Sequence, residues 1–116
     1  MDGNDPLFLS IKLIELSYND AESDEQTLYL FLAQKIYQHN KSYADEKHIH
    51  ITEASFQLLC RLLKRTKRTT ELQLASTEMA QYYAMRGKQL ANGDPSRIHR
   101  AIDLLQKACR LYNKST

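Results

Sequence analysis

Four residues, Asn92-Gly93-Asp94-Pro95, separate two long stretches in which apolar side chains recur every three or four positions. No other feature constrains the chain as much. Asp94 can accept a hydrogen bond from the free N–H groups of a first helical turn, and Pro95 suits the first helical position, where its missing N–H costs nothing. Downstream, Ile98, Ala101, Ile102, Leu105, Ala108, Cys109 and Tyr112 share one face, while Arg100, Asp103, Lys107 and Arg110 fall on the other. That apolar face must be covered. Upstream, Leu72, Ala75, Met79, Tyr82, Tyr83 and Leu90 form a matching stripe, and Gly93 is placed to end that helix in the left-handed conformation that glycine adopts without strain. A short connection makes the pair an antiparallel helical hairpin over residues 69–113.

From about Leu72 to Asn113 the hairpin resembles a single tetratricopeptide repeat, whose pattern places an aromatic residue and a glycine on the first helix and Ala-x3-large-x2-Ala on the second. Tyr83 and Gly87 stand at the aromatic and glycine positions, and Ala101, Leu105 and Ala108 have the second-helix spacing. Departures are Arg86 for the usual leucine, Leu90 for tyrosine, a longer turn, and Asn113 for the closing proline. The resemblance implies a groove for a peptide or helix, with Tyr82, Tyr83 and Arg86 on its wall. It also implies self-association or a completing partner, since one repeat is too short to build a concave surface. Small-large-small spacing is equally what any tight hairpin in an ordinary helical bundle requires. Arg86 falls on the apolar stripe, where it either pairs with a carboxylate at a site or lays its stem on apolar surface with its head in water. The second arrangement is the expected one.

Strong helix formers run through the 116 residues, with three glycines, two prolines and neither valine nor tryptophan. This composition argues against a sheet. The expected fold is all-α, a single domain of four to five helices over residues 1–116, with an acidic N-terminal segment at 1–25. Cys60 and Cys109 lie in apolar helical patterns and read as reduced core residues of a cytoplasmic protein. Apolar runs such as Leu28 to Ala33 are far too short for a membrane span, and the N-terminus opens with Asp2 and Asp5 in place of a basic leader.

In chain order, Asp5-Pro6 starts a first helix that runs to about Tyr18. Its apolar residues, Leu7, Ile11, Ile14 and Tyr18 flanked by Leu9, Leu13 and Leu16, make a face wider than a surface helix needs. That width predicts a central position in the bundle, with half of an oligomer contact as the alternative. After a polar loop, Ser23 and Gln26 have capping-box spacing and open a second helix reaching Asn40. Its expected core face is Leu28, Phe31, Leu32, Lys35 and Ile36 with Tyr29 and Tyr37; a row of tyrosines is otherwise the wall of a peptide groove. Lys47-His48-Ile49-His50-Ile51 alternates like a short extended segment, and Thr52 is placed to cap a third helix reaching Thr66. With His39 these histidines suggest a metal site, but nothing is positioned to complete three or four ligands, so no metal is expected.

On the third helix Phe56, Leu59, Leu62 and Leu63 oppose a basic stripe of Arg61, Lys64, Arg65 and Arg68, to which Lys67 adds a fifth cation. Residues 1–26 carry seven acidic and one basic residue, a net −6, and residues 27–116 fifteen basic and seven acidic, a net +8. The stripe therefore suits phosphates, an acidic protein, the acidic segment of this same chain, or nothing but water, with solvation or internal pairing the expected outcome. No zinc finger, helix-turn-helix signature or glycine-rich RNA motif accompanies it. Phosphate loops, nucleophile elbows and His-Glu-x-x-His are missing from the sequence too, so neither catalytic residues nor a cofactor are expected. The reading is a non-enzymatic protein–protein interaction module, an adaptor, chaperone or regulator that also has the features of a homo-oligomer. The alternative is a nucleic-acid-binding regulator using the basic stripe.

Overall fold

A computed structural model describes residues 6–115, apart from the side chains of Leu7, Phe8, Lys114 and Ser115. Asp5 and the side chain of Leu7, both invoked for the first helix, thus lie outside the described residues. The fold is all-α. Its helices are α1 (Pro6–Tyr18), α2 (Ser23–Asn40), α3 (Glu46–Arg65), α4 (Thr69–Ala91) and α5 (Ile98–Ser115), with one 3₁₀ turn at Pro95–Arg97. They divide into two compact units, Met1–Thr69 and Thr70–Thr116.

In the first unit α1, α2 and α3 pack on one another, with α2 against α3 the most extensive pairing. α3 is the most strongly amphipathic of the three, and it buries Ile49, Ile51, Phe56, Leu58, Leu59, Leu62 and Leu63. Removing each such side chain from water stabilises the unit by roughly 1.5–3 kcal/mol before conformational entropy is subtracted. The ring of Tyr37 from α2 lies 3.8 Å, centroid to centroid, from that of Phe56. The α2 face that is buried is Leu30, Ala33, Tyr37 and Asn40. This reverses the sequence expectation for Leu28, Phe31, Leu32 and Lys35, which are exposed. Residues 28–33 are apolar or aromatic in unbroken succession, so periodicity offers two faces and only packing against α3 selects one.

Of the three helix starts predicted in this unit, those of α1 and α2 fall within a residue of expectation, while the capping chemistry of α2 and the start of α3 are corrected. Gln26 does not close a capping box; its side-chain amide donates to the carbonyl of Tyr18 at 3.1 Å, and Ser23 is already helical behind Glu22. The α1–α2 connection is thereby pinned. The His-Ile-His-Ile stretch is not extended but forms the first turns of α3, because Asp45 supplies an N-cap seven residues ahead of the expected one, Thr52. Its carboxylate accepts from the His48 backbone N–H at 3.4 Å and from His48 Nδ1 at 2.6 Å. Thr52 is buried inside the helix, its hydroxyl donating to the His48 carbonyl at 2.8 Å.

At the other end of α3, Lys67 has φ 57°, and the N–H groups of Lys67 and Arg68 donate to the carbonyls of Lys64 and Leu63. This is a Schellman closure with lysine at the position where glycine is least strained.

In the second unit α4 and α5 form the antiparallel hairpin. A Cβ at Gly87 would lie 2.7 and 2.8 Å from Leu105 Cγ and Cδ2 and 3.2 Å from the Ala101 carbonyl oxygen. The two helices can approach this closely only with glycine there. Asp94 caps the second helix as its sequence predicts, accepting from the Ser96 N–H at 3.0 Å ahead of Pro95. That backbone hydrogen bond holds the Asp94 carboxyl below its ordinary pKa. Gly93 departs from expectation. It has no positive φ; α4 ends in an ordinary α-helical bond from Asn92 to Lys88 and a tightened one from Gly93 to Leu90.

The buried stripe of α5 is Ala101, Leu104 and Ala108. Ile98, Ile102 and Tyr112 are exposed, and so is Cys109, which is therefore not the core thiol expected of it; Cys60 is half-buried. The physical reason is that the apolar arc of α5 is broader than the strip that is covered.

Candidate functional site

Where the sequence placed a groove wall, the side chains are buried. Tyr82, Tyr83 and Arg86 have relative exposures of 5, 3 and 3%. Arg86 lays its guanidinium over the Tyr82 ring, 5.6 Å from the centroid, and donates to Gln89 Oε1 one turn on. The expected arrangement with its head in water is not the one adopted. A hydrogen-bonded cation on an aromatic face satisfies much of what solvent would have supplied. Lys107 of α5 lies 5.8 Å from the Tyr83 ring. Lys107 thus links α5 to α4 at Tyr83, while Arg86, Tyr82 and Gln89 interact along α4 itself.

The five basic residues are only partly a stripe. Arg61, Lys64 and Arg65 project from α3 into solvent, but the helix ends at Arg65 and the left-handed Lys67 turns Arg68 off its face. Glu15 of α1 receives Arg61 through two bonds, Nε to Oε1 at 3.1 Å and Nη2 to Oε2 at 3.0 Å, and Arg65 approaches at 3.6 Å. Of the four readings of the stripe, pairing with the acidic segment of this chain is thus realised at two of its five positions. Each exposed pair contributes at most about 1 kcal/mol, less in salt, but it fixes two cations in place.

The histidines serve the start of α3. His48 pairs with Asp45, and His50 Nε2 lies 3.3 Å from Glu46. Because a carboxylate can only accept, Nδ1 of His48 carries the proton toward Asp45, and this bond holds the Asp45 carboxyl below its ordinary pKa. Among the described residues no three His, Cys, Asp or Glu side chains converge on a point where a metal ion could sit.

Of the exposed apolar sides of α1 and α2, sequence reasoning raised the first only as the alternative to burial and missed the second. Leu9, Leu13 and Leu16 are 45, 62 and 73% exposed, and Leu28, Phe31 and Leu32 are 62, 54 and 46% exposed. On each helix these residues follow i, i+3, i+4 or i+7 spacing, opposite the buried stripe of Ile11, Ile14 and Tyr18 or of Leu30, Ala33 and Tyr37. The signal was legible as the excess width of the first helix. Its meaning required knowing which side α3 takes.

Compared with known proteins, the chain matches no family model, no curated protein and no solved structure. Function must therefore be argued from these surfaces. No helix among the described residues is long and apolar enough to cross a membrane.

Proposed function

We propose that this chain is a non-enzymatic protein–protein interaction module that engages a protein partner through the outer side of α1 and α2. One observation carries the reading: six large apolar side chains stand exposed on two packed helices, each opposite a well-buried stripe. Water opposes leaving so many apolar side chains bare, and such a face is ordinarily covered by a partner. The tetratricopeptide resemblance of the hairpin points to the same class of activity, but the burial of Tyr82, Tyr83 and Arg86 moves the contact to α1 and α2. An adaptor, chaperone or regulator acting in the cytoplasm accords with this reading.

Nucleic-acid binding through Arg61, Lys64, Arg65, Lys67 and Arg68 is the weaker alternative. Glu15 opposes phosphate contact at Arg61 and Arg65, and Arg68 is off the helix face.

The experiment is retention of partners from the native host's extract by wild type, by Leu13→Glu/Phe31→Glu and by Arg61→Glu/Arg65→Glu, with and without nuclease. A discrete protein retained after nuclease, lost in the first variant and kept in the second, is the expected result. Retention that depends on nucleic acid and on the arginines would overturn it.

A further inference from the structure

Resting on the reading of α1 and α2 as an interaction face, we infer that the protein covering this face is a second copy of the same chain, with α2 lying antiparallel to its counterpart about a two-fold axis level with Leu30.

Two arguments select a second copy over an unrelated partner. The first is extent. With the exposures of Leu9, Leu13, Leu16, Leu28, Phe31 and Leu32 given above, the apolar surface left bare, summed over the two helices, is on the order of 600 Å², the scale of the 800 Å² or so that each partner contributes to a stable pairing. α1 sharpens this point. It is apolar on two opposite sides, the pattern of a helix buried all round rather than one at a surface.

The second argument is charge, and it gives the geometry. Along the outer side of α2 the exposed residues run Glu25, Leu28, Phe31, Leu32 and Lys35, acidic at the start and basic at the end, with apolar residues between. Glu25 and Lys35 each lie five residues from Leu30, about 7.5 Å along the axis. An antiparallel copy centred at that level sets Glu25 of one chain against Lys35 of the other, twice, and Leu28 against Leu32, twice. The surface is complementary to itself, as an isologous contact demands. A parallel arrangement would instead oppose like charges. In the single chain the Lys35 ammonium lies over the Phe31 ring, 5.2 Å from its centroid, so the cation already borders the apolar centre of the contact.

The test is sedimentation equilibrium of the full chain from micromolar to several hundred micromolar, with far-UV circular dichroism confirming helix content for each variant. Wild type is expected to dimerise and Phe31→Asp to be monomeric with unchanged helicity, because Phe31 contributes nothing to the buried stripe. Glu25→Lys and Lys35→Glu should each weaken the dimer about tenfold, as two pairs are lost and like charges opposed. The double variant Glu25→Lys/Lys35→Glu restores opposite charges and should return to within about threefold of wild type. A wild type that stays monomeric at every concentration overturns the inference, as does a dimer indifferent to Phe31→Asp. So does a double variant no stronger than the singles. A monomer that still retains a different protein in a Phe31-dependent way sinks the second copy while leaving the interaction module standing. Loss of both sinks the two together.

Discussion

α3 and α1 belong to the same unit and use their apolar residues in opposite ways. α3 gathers Ile49, Phe56, Leu59, Leu62 and Leu63 out of water and leaves Arg61, Lys64 and Arg65 in it. α1 carries leucine and isoleucine on both sides and buries only Ile11, Ile14 and Tyr18 of those described, leaving Leu9, Leu13 and Leu16 bare. An amphipathic helix states its own orientation, because turning it would bury charge. A helix apolar on two opposite sides states none, so its neighbours choose which side is core, and the other side is left for something outside the chain.

The sharpest way to break this contrast is to truncate one leucine on each helix. Leu62→Ala should destabilise by about 2–5 kcal/mol through lost burial and the cavity left behind. Leu16→Ala should shift stability by no more than about 0.5 kcal/mol at low protein concentration. Urea unfolding followed by circular dichroism decides it. Equal losses would make the outer side of α1 a core position.

A smaller effect, of opposite sign, is expected where α3 ends. Lys67 holds the left-handed conformation that costs a non-glycine residue about 1 kcal/mol, so Lys67→Gly should raise stability by about that amount with an unchanged denaturant slope. A fall in stability would show that the Lys67 side chain contributes more than its backbone strain removes.

The smallest effect tests how α3 begins. The His48 hydrogen bond lowers the Asp45 pKa from 3.8, so the folded state binds the Asp45 proton less readily than the unfolded chain. Its contribution is fully present above pH 3.8 and is lost as the pH falls through the lower, folded-state value. Asp45→Asn should therefore be slightly less stable than wild type near neutrality and converge with it in acid. Urea midpoints taken across this range would show the convergence; a constant offset would mean that Asp45 acts only as an uncharged cap.

Much of the second unit was legible in advance because its signals are local. Asp94 and Pro95 specify a helix start with their own side chains, and Gly87 with Ala101 and Ala108 announces a close approach before any neighbour is known. Local signals also misled. Thr52 has the chemistry of a cap, and Ser23 with Gln26 has capping-box spacing, yet Asp45 outcompetes the first and Tyr18 captures the amide of the second. Gly93 permits a left-handed end that the chain does not take. The candidate surfaces fared least well. Tyr82, Tyr83 and Arg86 look alike in sequence whether they line a groove or fill a core, and only burial separates the two.

By itself the sequence determined that the chain is helical, where α1, α2, α4 and α5 begin and end to within a few residues, and that α3 turns one side from water. Composition, spacing and capping chemistry act over a single turn, and they suffice for that. Tertiary structure alone decided that α2 presents Leu28, Phe31 and Leu32 outward, that Glu15 takes Arg61 and Arg65, and that Leu9, Leu13 and Leu16 are the side of α1 left bare. Each of these depends on which of two chemically similar sides meets α3 or α1. That choice is made by packing between residues distant in the chain, and neither helix encodes it alone.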